Sequence, residues 1–269
     1  MTNSKIEDFL DYLYECEMSP NTIQSYKYSV KQFFSRYSEI TKKNMIDFKK
    51  YLIENKTATT AGLRIVTMNK YCDWIGKPEC KVKPVKSQKK FFVDNIPNDE
   101  DYQKVLNFTK THNLKYYWII RFLAGTGMRI SELLSVTKKD LQNGYIEIHS
   151  KGKERRIIIP KSLSEESAEY FSQRKDEEYL FYSRLGNKMN ERGVNSCFKY
   201  IAEQTGIKKE LLHPHAFRHY FAKKMLKATN NDISLVSSYL GHSNIATTAI
   251  YTMSSRKEQE EQLNQNMTW

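Results

Sequence analysis

Only one stretch of this chain carries convincing β signals, and that confines the fold to a mainly α-helical one. Asn143-Gly144 is a tight-turn signal, and Tyr145 to His149 alternates or runs apolar. Lys151-Gly152-Lys153 supplies a second turn, and Arg156 to Pro160 holds three consecutive isoleucines. The pattern predicts a small antiparallel sheet with a basic turn at its tip. Elsewhere apolar residues recur at helical spacing. Ile6, Phe9, Leu10 and Leu13 share one face. Ile23, Tyr26, Val30 and Phe33 form a second stripe behind Ser19-Pro20, an N-cap followed by proline at the first helical position. Met45, Phe48 and Leu52 mark a third helix, and Leu63, Val66 and Trp74 a fourth. Tyr117, Ile120, Phe122 and Leu123 belong to a buried helix ending near Gly125. From Ser164 onward helices are broken at Gly186, Gly206, Pro214 and Gly241.

At 269 residues the chain is long enough for two domains, each with its own core. Lys77 to Lys90 separates them by composition: six lysines, one glutamate, and prolines at 78 and 84, with no helical stripe. The expected arrangement is a helical bundle over 1–76, a basic linker over 77–97 and a larger domain over 98–269. A solvated charged loop has the same composition as a linker crossing a phosphate backbone, so both readings of that stretch stand. The formal net charge of +12 points to a polyanionic partner. Cys16, Cys72, Cys80 and Cys197 form no CxxC pair, so neither a metal site nor a disulfide framework is expected, and a reducing compartment fits. No apolar stretch reaches membrane-spanning length and the N-terminus lacks a signal-peptide core. A soluble cytoplasmic protein is expected.

Three segments hold the candidates for chemistry. Arg129 follows Gly125-Thr126-Gly127, and Glu132 lies one turn on, close enough to orient the guanidinium. A helix-start arginine paired with a glutamate for structure alone has the same pattern. In His213-Pro214-His215-Ala216-Phe217-Arg218-His219, Pro214 suits a first helical turn, which sets His215 where free N–H groups and the helix dipole favour an anion. His215 and Arg218 are i and i+3 and share a face, a cationic fork beside an imidazole; His219 points a quarter-turn from Arg218 and reads as structural. Gly241 ends the run from Ile233 to Leu240, His242 follows it, and Tyr251 sits beyond Asn244 on the next helix.

Taken together, Gly127-Met128-Arg129-Ile130-Ser131-Glu132-Leu133, His215-Ala216-Phe217-Arg218-His219, and Leu240-Gly241-His242-Ser243 through Tyr251 resemble the arginine, His-x-x-Arg and terminal boxes of the tyrosine recombinases. Ser19-Pro20-Asn21-Thr22, with Tyr26 leading to Phe33, is similar to the start of that family's core-binding domain. The resemblance implies a SAM-like helical core-binding bundle followed by an α+β catalytic domain. It implies that Tyr251 attacks a DNA phosphate to leave a 3′-phosphotyrosine, that Arg129 and Arg218 hold the non-bridging oxygens, that His215 assists proton transfer at the tyrosine, and that His242 hydrogen-bonds the phosphate. It implies that a lysine of the hairpin turn protonates the leaving 5′-oxygen. Lys151 aligns better for that part and Lys153 competes, because Ser150-Lys151-Gly152-Lys153 is a shorter turn than the family's common one.

No metal, ATP or other cofactor is implied. The implied partners are duplex DNA with paired half-sites, bound in part through Lys81, Lys83, Lys86, Lys89 and Lys90, and a homotetramer formed by exchange of the tail from Arg256 to Trp269. The rival activities are a type IB topoisomerase-like relaxing enzyme and a non-catalytic helical DNA-binding regulator.

Overall fold

The computed structural model describes residues 2–85, 95–150, 153–176, 178–241, 244–252 and Asn264; side chains are not described for 2–4, 149–150 and 153–154. The chain divides into two compact units, Met1–Lys90 and Phe91–Trp269.

The first unit is built from α1 (Thr2–Glu15), α2 (Pro20–Phe34), α3 (Lys42–Asn55) and α4 (Ala58–Trp74). Ser19 caps α2 by accepting from the Thr22 N–H, with Pro20 at the first helical position, as the sequence predicts. Phe9, Leu13, Val30, Phe33, Met45, Phe48 and Leu52 are fully buried, so the first three predicted stripes face one core. The fourth does so only through Trp74, whose ring lies 5.3 Å from that of Phe9. Leu63 and Val66 are 44% and 45% exposed, and α4 instead buries Ala61, Ile65, Met68 and Cys72. Those residues recur at helical spacing on another side of α4 and turn it toward α2 and α3.

The basic stretch after α4 also divides. Residues 78–80 form a 3₁₀ turn, Cys80 and Val82 are buried, and Asn69 bonds both the N–H and the carbonyl of Val82. Lys42 and Lys49 bond the carbonyls of Glu79, Lys81 and Lys83. This part is fixed on the helical unit. Linker character beyond it falls on 86–94, outside the described residues.

The second unit opens with α5 (Asp99–His112), whose N-terminus carries a capping box between Asn98 and Asp101. There follow α6 (Leu114–Thr126), α7 (Ile130–Leu133), α8 (Lys138–Asn143), strands β1 (Tyr145–Ser150) and β2 (Lys153–Ile158), α9 (Lys161–Phe171), α10 (Glu191–Thr205), α11 (Pro214–Ala228), α12 (Ile233–Leu240) and α13 (Ala246–Ala249), which runs into a 3₁₀ turn at Ile250–Thr252. The two strands pair antiparallel with Tyr145 opposite Ile158 and Ser150 opposite Lys153. The hairpin is where the sequence put it, and Asn143-Gly144 is the turn that precedes β1. Gly144, at φ 75°, ends α8 in the left-handed conformation and hands the chain to β1. Buried α6 lies at the centre of the core, with Ile119, Ile120, Phe122 and Leu123 against Phe171, Phe181, Phe198 and Phe217. Across this helix runs α11, which in turn meets α12 and the 250–252 turn.

Candidate active site

Arg218 is the largest side chain with under 2% exposure, an unusual place for a permanent charge. Its guanidinium is satisfied by two carbonyls at helix ends, where the helix dipole favours a cation. Nη1 donates to the Gly127 carbonyl at 2.6 Å and Nη2 to the Leu240 carbonyl at 2.7 Å. Gly127 and Gly241 both adopt positive φ, so each chain turns away just past α6 and α12 and leaves these carbonyls open. Burial, followed by repulsion from Arg129, pushes the Arg218 guanidinium down to about 10, with Glu132 opposing the shift. It remains charged at neutral pH.

Arg129 stands at the start of α7, and Glu132 reaches back to it twice: Oε2 accepts from the backbone N–H at 2.7 Å and Oε1 from Nη1 at 2.8 Å. The Glu132 carboxylate, 9% exposed, also takes Arg155 from β2, whose Nη2 lies 2.7 Å from both oxygens. Arg155 Nη1 donates in addition to the Leu240 carbonyl. Two guanidiniums therefore share one carboxylate and a third, Arg218, feels its charge, leaving a local excess of positive charge. Arg129, Ser131, His215, Arg218 and Glu191 line a cleft of about 270 Å³. Arg129 keeps 47% of its side chain exposed there, free to meet an anion.

Tyr251 is only 6% exposed and packs among Ala222, Leu226, Val236 and Leu240. Burial raises its phenol above the ordinary value, with the positive charge of Arg218 opposing. Its hydroxyl lies 2.5 Å from Nδ1 of His219. His219, read from the sequence as structural, is thus the imidazole in contact with the phenol. His215 and His219 are i and i+4 on α11, so they share a face, and their rings meet edge-on at 4.2 Å. His215 is exposed toward the cleft, and the protein around it, together with Arg218, holds it below its ordinary value. His213 caps α11 by accepting from the Ala216 N–H at 3.1 Å.

The predicted residues Arg129, Glu132, His215, Arg218 and Tyr251 thus fall in one region of the second unit. Lys151 and His242 lie outside the described residues, as do Lys86, Lys89 and Lys90, and Lys153 is placed only by its backbone in β2. Lys81 pairs with Asp73 at 3.0 Å on the surface of the first unit, where Lys83 is also exposed. Two participants were missed from sequence, Arg155 and His219. Each had a signal: Arg155 shares the inward face of β2 with buried Ile157, while Ile158 is 60% exposed, and His219 is one turn from His215.

Fold and site define a two-unit, mainly helical protein whose second unit holds a cationic cleft suited to a phosphodiester beside a buried phenol. Residues 97–258 match the phage integrase family, and residues 6–77 match the phage integrase N-terminal SAM-like domain. The tyrosine recombinase XerA of Thermococcus kodakarensis is 30% identical over 261 residues, covering 93% of this chain and 90% of that one. XerD of Listeria monocytogenes is 28% identical, covering 93% and 94%. Among solved structures, the Tn1549 transposon integrase in complex with circular intermediate DNA superposes with a TM-score of 0.72 at 16% identity, covering 98% and 99% of the two chains. A lambda integrase dimer bound to a core site gives 0.73 at 16% identity, covering 93% and 94%. The chain belongs to the phage integrase family of tyrosine recombinases, enzymes that cleave and rejoin DNA through a tyrosine.

Proposed function

We propose that this chain is a site-specific recombinase that exchanges DNA strands between paired half-sites within a homotetramer in the cytoplasm. The observation that carries the reading is the cleft of Arg129, His215 and Arg218 with Tyr251 held just behind it by His219. A phosphodiester carries one negative charge and its pentacovalent transition state two, so the excess of guanidinium charge favours the transition state over the ground state. Tyr251 Oη attacks phosphorus, the P–O5′ bond breaks, and the phenolic proton is lost. The product is a 3′-phosphotyrosine and a free 5′-hydroxyl, and the reverse attack on a partner strand restores the diester. Conserving the ester bond in this way requires neither ATP nor a metal.

The imidazole pair on α11 is the route for the proton. His219 holds the phenol in the DNA-free chain, and His215 accepts as the hydroxyl swings toward the cleft. Lys151 protonates the leaving oxygen, with Lys153 as the competing donor, and His242 contacts the phosphate. Lys81, Lys83, Lys86, Lys89 and Lys90 contact the backbone, and exchange of the C-terminal tail joins protomers.

Incubation with a nicked suicide substrate tests the chemistry. The parent chain becomes covalently attached to DNA, whereas Tyr251→Phe binds equally well and forms no adduct. Adduct formation by Tyr251→Phe would end the assignment of the nucleophile. Binding without any adduct from the parent would favour a regulator, and plasmid relaxation without exchange between two sites a topoisomerase-like enzyme.

A further inference from the structure

Arg155 occupies a place that the proposed chemistry leaves unused. Its fork grips the carboxylate of Glu132 through Nη2 and the carbonyl of Leu240 through Nη1. Glu132 holds Arg129, and the Leu240 carbonyl also receives Arg218. Arg218 in turn donates to the Gly127 carbonyl, two residues before Arg129. Hydrogen bonds, with the backbone from Gly127 to Arg129, close a ring: Arg129, Glu132, Arg155, the Leu240 carbonyl, Arg218 and the Gly127 carbonyl. Arg155 is the member of that ring contributed by the hairpin, and it does not line the cleft. Its guanidinium also fills the space over Gly241, where any Cβ would collide with it.

We infer that Arg155 is a positioning residue for strand cleavage, setting the separation of the Arg129 and Arg218 guanidiniums through Glu132 and the Leu240 carbonyl while touching no DNA itself. The inference rests on the recombinase reading and adds a part to it. The geometry requires a planar fork: one guanidinium edge faces a carboxylate and another a carbonyl on a different element, which a lysine ammonium cannot span in the same way. Loss of the fork lets the two arginines drift relative to each other, and misplacement near 1 Å in such a pair costs about 100-fold in rate.

The test compares Arg155→Lys with the parent in single-turnover adduct formation on two suicide substrates. One carries an ordinary scissile diester and the other a methylphosphonate, which lacks one non-bridging charge. Arg155→Lys is expected to slow cleavage of the diester about 100-fold with DNA affinity within about threefold of the parent. The deficit should shrink below about tenfold on the methylphosphonate, because less charge then depends on the spacing of the arginines. A rate within threefold of the parent on the diester would overturn the inference, and so would an equal deficit on both substrates, which marks general structural damage.

If Arg155→Lys fails to fold, Arg155→Gln keeps an amide that can donate to Glu132 or to the Leu240 carbonyl but lacks the fork that joins them, and the same two-substrate comparison applies. A parent chain that forms no adduct would count against the recombinase reading alone. The positioning claim is then read from the Arg218 Nε–H resonance, which shifts in Arg155→Lys if the Leu240 carbonyl is held by both arginines and stays in place if it is not.

Discussion

His215 and Tyr251 sit in environments that move them in opposite directions, and the shifts favour a protonated phenol and a neutral His215 imidazole at pH 7. Burial raises Tyr251, while burial and Arg218 lower His215 beneath the ordinary imidazole value. In the proposed chemistry the phenol needs an acceptor at the moment of attack, and His215, the acceptor proposed, is already free of its proton. At subsaturating DNA, where ionisations of the free enzyme govern the rate, adduct formation should stay level from pH 8 down to about 6.5. It should fall only beneath that value, as His215 gains its proton. His215→Gln should remove this acid limb and lower the plateau about 100-fold. An acid limb unchanged in His215→Gln would place the titrating group elsewhere on α11, with His219 the first alternative because its Nδ1 touches the phenol.

Two glycines decide how α6 and α12 present their last carbonyls to the arginines. Gly127 has φ 63°, and a Cβ there would overlap Phe221 on α11. Gly127→Ala should therefore destabilise the chain by more than about 1 kcal/mol in urea unfolding, the strain of a left-handed alanine added to the overlap. It should also displace the carbonyl that receives Arg218 and slow adduct formation in whatever fraction remains folded; an unchanged midpoint and rate would remove Gly127 from the account. Such helix ends were legible in the sequence, since Gly206 and Gly241 stop α10 and α12, and Pro214 starts α11. The turn at Asn143-Gly144 was legible as well, because a tight turn and a helix C-terminus ask for the same positive φ. Leu63 and Val66 were misread because α4 is apolar on more than one side, and spacing alone did not show that Ala61, Ile65, Met68 and Cys72 form the face that packs. Arg129, Arg218 and Tyr251 were legible from their motifs. Arg155 was hidden in the run Lys153-Glu154-Arg155-Arg156, where local charge gives no clue that one cation turns inward.

A net charge of +12, the balance of 43 basic and 31 acidic residues, makes the chain as a whole a polycation, yet the structure separates charges that are already answered from those that are not. Lys81 faces Asp73 at 3.0 Å, and Lys27, Lys209 and Lys224 face Glu7, Glu203 and Asp99. A lysine whose charge is partly cancelled in the free protein gives up that pairing when it meets a phosphate, so it contributes less to binding than an unpaired one. Affinity for duplex DNA should fall steeply with salt, because each phosphate neutralised releases condensed counterions. If residues 86–90 cross the backbone, replacing Lys86, Lys89 and Lys90 by glutamine should flatten the plot of log affinity against log salt. The change in slope should reach up to about 0.9 for each phosphate that no longer meets a lysine. Lys81→Gln should change that slope by clearly less, because Asp73 has already discounted its charge. A slope unaltered by the triple replacement would make the stretch a spacer and move the backbone contacts onto the helical units themselves.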